Sequence, residues 1–104
     1  MLLSAVRAAG YQTAGFDDPM AALDAIEADS RVRVLVTRVN FGPGKLNGVA
    51  LARMLRLKRS AVKVVFVGQP QSRNLIDGHG EFVPYPPDPR AVVEAVRQLL
   101  ADTV

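Results

Sequence analysis

Val32-Arg33-Val34-Leu35-Val36-Thr37-Arg38-Val39 and Val62-Lys63-Val64-Val65-Phe66-Val67 are the two stretches whose reading decides the fold. Both are β-branched, apolar runs of strand length. Strands covered on both faces read as continuous runs of this kind, whereas half-exposed strands alternate. Between them, residues 49–58 place Leu51, Met54 and Leu55 at helical spacing, with Arg53 and Arg56 on the opposite side. A strand, a helix and a strand in that order make a crossover between parallel neighbours.

The same alternation continues in both directions. Downstream, residues 40–47 read as a loop from their Gly, Pro and Asn content, residues 71–76 as a short helix and residues 81–83 as a short strand. After the proline-dense Pro84-Tyr85-Pro86-Pro87, Asp88 caps and Pro89 opens a last helix with an apolar face of Val92, Val93, Val96, Leu99 and Leu100. Upstream, Leu2, Leu3, Val6 and Ala9 recur at helical spacing and Gly10 stops that helix. Residues 11–16 read as a strand. Asp18 and Pro19 start the next helix as cap and first residue, and Met20, Leu23 and Ile26 form its buried stripe. The expectation is a single α/β domain over residues 1–104, with a four-stranded parallel sheet covered on both faces.

Composition narrows the chemistry. The chain of 104 residues has no cysteine, which removes disulfides, thiolate metal sites and cysteine nucleophiles. Its one histidine, His79, is flanked by glycines in Asp77-Gly78-His79-Gly80 and reads as a solvated loop residue. No apolar run reaches the ~18 residues of a membrane span. The opening Met1-Leu2-Leu3-Ser4-Ala5-Val6-Arg7 lacks the basic start of a signal peptide. A soluble cytoplasmic domain with no membrane partner is expected. Gly42-Pro43-Gly44-Lys45 follows a strand as a phosphate-binding loop would. However, Val39 and Leu46 stand where such a loop needs glycine and Ser/Thr, and Asn47 breaks the dinucleotide pattern.

Charge is sharply segregated. Residues 1–29 hold five acids and one base, residues 30–76 hold ten bases and no acid, and residues 77–104 hold five acids and two bases. Arg53, Arg56, Lys58, Arg59 and Lys63 therefore make a candidate basic face for nucleic acid or an acidic protein. The plainer reading is a solvated outer helix face. Aromatic residues interleaved with the bases would favour nucleic acid, but Phe41 and Phe66 read as loop and core.

Three stretches together carry a resemblance. They are Ala9-Gly10-Tyr11-Gln12 with Met20-Ala21-Ala22-Leu23, then Leu35-Val36-Thr37-Arg38-Val39 through Gly48-Val49-Ala50-Leu51-Ala52-Arg53, and finally Gly80-Glu81-Phe82-Val83-Pro84-Tyr85-Pro86 before the valine-rich helix. The sequence resembles the receiver domains of bacterial two-component response regulators over essentially its whole length. That resemblance implies a flavodoxin-like (CheY-like) three-layer α/β/α sandwich, with four strands because nothing corresponds to the first strand and its metal-holding acids. Asp17-Asp18 is not that acid pair, since it follows the next strand and serves as a helix cap.

The resemblance also implies that the signalling chemistry is degenerate. The phosphoaccepting aspartate falls at Arg38, the phosphoryl-contacting Ser/Thr at Val67 or, with a one-residue shift, Gly68, and the lysine at Tyr85. Phosphoryl transfer needs a carboxylate nucleophile with a metal and a cation to neutralise charge. Arginine stays protonated and has no lone pair to offer phosphorus, and Mg²⁺ would lack its hard oxygen ligands. No catalytic residue, metal ion or other cofactor is expected, and Tyr85 reads as a packing residue. Arg38 becomes a candidate anion contact at the carboxyl end of its strand, and the Tyr85–Pro86 bond is expected to be cis.

The implied role is a phosphorylation-independent interaction module, with a histidine kinase, an output domain or another regulator as partner, docked through residues 75–104. The competing reading is the basic binding module, and a third is an inactive fragment of a larger regulator. Without its first strand the sheet has three options: close up into four strands, recruit a second chain, or be completed by residues upstream of an internal Met1. The last is favoured for the natural protein and the closed sheet for these 104 residues.

Overall fold

The computed structural model describes residues 2–40, 47–76 and 78–101, so the Gly42-Pro43-Gly44-Lys45 loop lies outside the described residues. The elements run α1 (Leu2–Ala8), α2 (Pro19–Ala28), β1 (Val34–Arg38), α3 (Gly48–Lys58), β2 (Lys63–Gly68), a 3₁₀ helix (Pro70–Ile76), β3 (Glu81–Pro84) and α4 (Pro89–Ala101). Punctuation residues set these bounds. The Asp18 carboxylate accepts the Ala21 N–H at 3.1 Å with Pro19 opening α2, and Asn47 Oδ1 accepts the Ala50 N–H at 2.8 Å at the start of α3. Asp88 Oδ1 accepts the Arg90 N–H at 2.9 Å before α4. Gly10 ends α1 with φ of 102°, a left-handed conformation that glycine adopts without a Cβ penalty.

The strands form one parallel sheet in the order β1-β2-β3. Because side chains alternate along a strand, each strand feeds two layers. Leu35, Val64, Phe66 and Phe82 pack with Leu23, Ile26, Leu51, Leu55 and Ile76, which covers one face with α2, α3 and the 3₁₀ helix. Val34, Val36, Val65, Val67 and Val83 pack with Leu2, Val6, Val92 and Val96, which covers the other with α1 and α4. Each such side chain taken fully from water contributes about 1.5–3 kcal/mol before entropic costs. The three-layer α/β/α arrangement expected from the sequence is present.

One expectation is corrected. Residues 11–16 are not a strand, and the sheet has three strands rather than four. A lone extended segment needs a ladder partner within about 4.8 Å. Here a groove lined by residues of both helical layers separates it from β1. Closing the groove would pull α1 and α2 toward β1 and away from their packing against α4 and α3. Arg7 Nη2 donates to the Thr13 carbonyl of this segment at 3.2 Å.

Candidate functional site

Parallel sheets bind ligands outside the carboxyl ends of their strands, and the residues singled out by the sequence meet there. Arg38 ends β1 opposite Val67 of β2, and Val67 lies opposite Val83 of β3. The chain then turns so that the Tyr85 N–H donates to the Gly68 carbonyl at 2.8 Å. The Tyr85–Pro86 bond is cis, as expected. Arg38, Val67 and Tyr85 thereby line one pocket of about 160 Å³, closed by Leu2, Val36, Thr37 and Pro87. Gly68 is not in its lining. The pocket therefore presents the Val67 side chain, and Gly68 instead admits Val39, whose Cγ2 a Cβ at this glycine would meet at 2.8 Å.

The chemistry of the pocket is cationic and hydroxylic. Arg38 is exposed and its guanidinium has no ion pair or hydrogen bond among the described residues, Tyr85 is half exposed, and Val67 is buried. Thr37 Oγ1 donates to the Arg38 carbonyl at 3.1 Å and so holds the end of β1. Among the described residues no carboxylate lines this pocket. Among the described residues no three His, Cys, Asp or Glu side chains cluster as metal ligands would. Asp18, the nearer reading of a lost acid pair, is committed to capping α2. A guanidinium offers planar N–H donors to an anion and no electron pair to phosphorus.

The five residues of the basic face are used unequally. Arg53 is exposed. Arg56 Nη2 donates to the His79 carbonyl, and Lys58 Nζ pairs with Glu27 at 3.2 Å. Lys63 is half-buried in β2. Arg59 has the most specific role. Nη1 donates to the carbonyls of Ile26 and Asp29 at 2.9 and 3.0 Å, and Nη2 to those of Ser30 and Val32 at 3.1 and 2.9 Å. One side chain thus satisfies the open carbonyls at the end of α2 and carries the chain into β1. No local pattern around Arg59 signals this, because its acceptors lie about thirty positions upstream.

The sequence matches no protein-family profile and no curated protein. The structure is similar to the receiver domain of NtrX from Brucella abortus, with a TM-score of 0.85 and 17% identity, covering 98% of this chain and 88% of that one. It is also similar to a response regulator receiver protein from Sinorhizobium medicae, with a TM-score of 0.82 and 18% identity over 97% of this chain and 83% of that one. A third similar structure belongs to a family of redox sensors in the streptococci that evolved from two-component response regulators. There the TM-score is 0.81 and the identity 11%, over 96% of this chain and 44% of that one. The chain therefore has the CheY-like receiver fold of two-component response regulators, a flavodoxin-like α/β architecture. Among the described residues no helix is long and apolar enough to cross a membrane.

Proposed function

We propose that this domain is a receiver-fold interaction module of two-component signalling that works without being phosphorylated. The observation that carries the reading is the pocket at the carboxyl end of the sheet, where Arg38, Val67 and Tyr85 meet and supply a cation, an isopropyl group and a phenol. A receiver needs a carboxylate, a hydroxyl and a lysine for the transfer, and no one-residue shift of register converts one set into the other. Arg38 offers an anion contact in place of an acceptor. The module is non-enzymatic and cytoplasmic, and docks a kinase, an output domain or another regulator through residues 75–104, where Leu75 stands 60% exposed. A nucleic-acid role is disfavoured because Lys58 and Arg59 of the basic face are already bound within the chain.

Incubation with acetyl phosphate and Mg²⁺ is expected to leave the intact mass unchanged, in the wild type and in Arg38→Asp alike. A phosphorylated wild-type species would overturn the reading.

A further inference from the structure

We infer that the outer surface of the α2 and α3 layer is a two-fold interface between copies of this chain, and this does not rest on the signalling role above. The two helices lie side by side on one face of the sheet, with Leu23 and Ile26 of α2 and Leu51 and Leu55 of α3 turned into the core. Their outer sides hold large apolar residues in water. Leu57 of α3 is 88% exposed and Met20 of α2 is 43% exposed. Four positions along the same helix from each stands an exposed charge, Arg53 on α3 and Asp24 on α2. Residues four apart share a helix face, so each helix presents an apolar and a charged side chain on one outer stripe. None of these four residues lines the groove beside β1.

Charge is divided between the two helices. α2 has acids and no base, and α3 has bases and no acid. Lys58 and Glu27 meet across the layer at 3.2 Å within one chain. Asp24 and Arg53 have no ion pair or hydrogen bond among the described residues. The face therefore carries an unmatched acid on one helix and an unmatched base on its neighbour.

Symmetry decides how two such faces meet. A half-turn about an axis between the helices and parallel to them lays α2 of each copy over α3 of the other, acid on base, twice. A half-turn about an axis crossing the helices lays like on like, which repels. Charge selects the first. The heights also agree, because α2 leads into β1 and α3 into its parallel neighbour β2, so the two helices run in the same direction. With Glu27 and Lys58 level, Leu55 is level with Asp24, and Arg53 stands two residues or about 3 Å away along the axis. Arg53 thus reaches the partner's Asp24 with its stem over the partner's Met20, and Leu57 rests against the partner's exposed Ala28. A foreign protein would have to bring both halves of this pattern, whereas a second copy brings them by symmetry.

Sedimentation velocity on the full chain tests this. The face is small, so a reversible dimer with a Kd of about 10–100 μM is expected. Arg53→Asp or Asp24→Arg sets like charges opposite each other at both contacts and should weaken the dimer about tenfold. Combining the two changes in one chain, or mixing the two single variants, restores opposite charges and should restore the dimer. Leu57→Ser should also weaken it about tenfold. All three positions are exposed, so the variants should melt as the wild type does. A chain that stays monomeric up to about 1 mM would overturn the proposal. So would a dimer unchanged by Arg53→Asp and Leu57→Ser, which assigns association to another surface, or a double variant that fails to recover it.

Discussion

Arg59 illustrates how one residue holds elements that are far apart in sequence. Its guanidinium spans four carbonyls from Ile26 to Val32, joining the end of α3 to the end of α2 and the approach to β1. Arg59→Met keeps the aliphatic stem and removes every donor, leaving partly buried acceptors unmet, and is expected to lower unfolding stability by about 1–3 kcal/mol in urea titrations. Arg59→Lys should recover little of this, since an ammonium cannot span the planar fork. Next to this bracket, the Asp29 carboxylate accepts from Arg31 Nε and Nη2 at 3.0 Å and from the Arg31 N–H at 2.9 Å. These hydrogen bonds hold its pKa down at about 2. A carboxyl depressed in the folded state stabilises above its unfolded pKa of about 4 and loses that contribution as pH falls toward 2. The pair is exposed, so the contribution is small and screened by salt. Asp29→Asn is expected to flatten the stability profile between pH 4 and 2 at low salt, lying slightly below wild type at pH 7 and converging with it as the pH falls toward 2. An acid limb identical to wild type would show that the pair contributes nothing to folding.

At the scale of elements, α3 depends on a close approach that no hydrophobic pattern announces. The Gly48 N–H donates to the Val39 carbonyl at 2.7 Å, and a Cβ at Gly48 would overlap the carbonyl oxygen of Arg38. The obstacle is backbone, which cannot swing aside like a side-chain tip. Gly48→Ala is therefore expected to destabilise by about 1–3 kcal/mol, the cost of overpacking, although alanine favours helices elsewhere. A thermal melt equal to wild type would contradict it. The same junction explains why the helix bounds were readable. Asp18-Pro19 and Asp88-Pro89 place a capping oxygen and a pre-set φ side by side, and both helices begin where those pairs stand. The strand at residues 11–16 was not readable in the same way. Its β-compatible residues express a local preference, but a strand also requires a neighbour to bond with, and β1 lies across the groove.

For the whole molecule, the sequence alone determined that β1 and β2 are parallel strands and that α3 crosses between them. Those features follow from apolar runs, helical spacing and turn residues, which act within a few positions of the chain. Tertiary structure decided the rest. It selected Val67 over Gly68 as the residue facing the pocket, because strand register sets which side chain points out. It made Arg59 a bracket rather than a surface cation, because its acceptors arrive from a different helix. Among the described residues it paired β1 with β2 alone, and it left the Thr13 hydroxyl buried and unpaired across the groove. Hydrogen bonding between strands is satisfied only in three dimensions, so the number of strands is a property of which segments can reach one another, and no local propensity contains it.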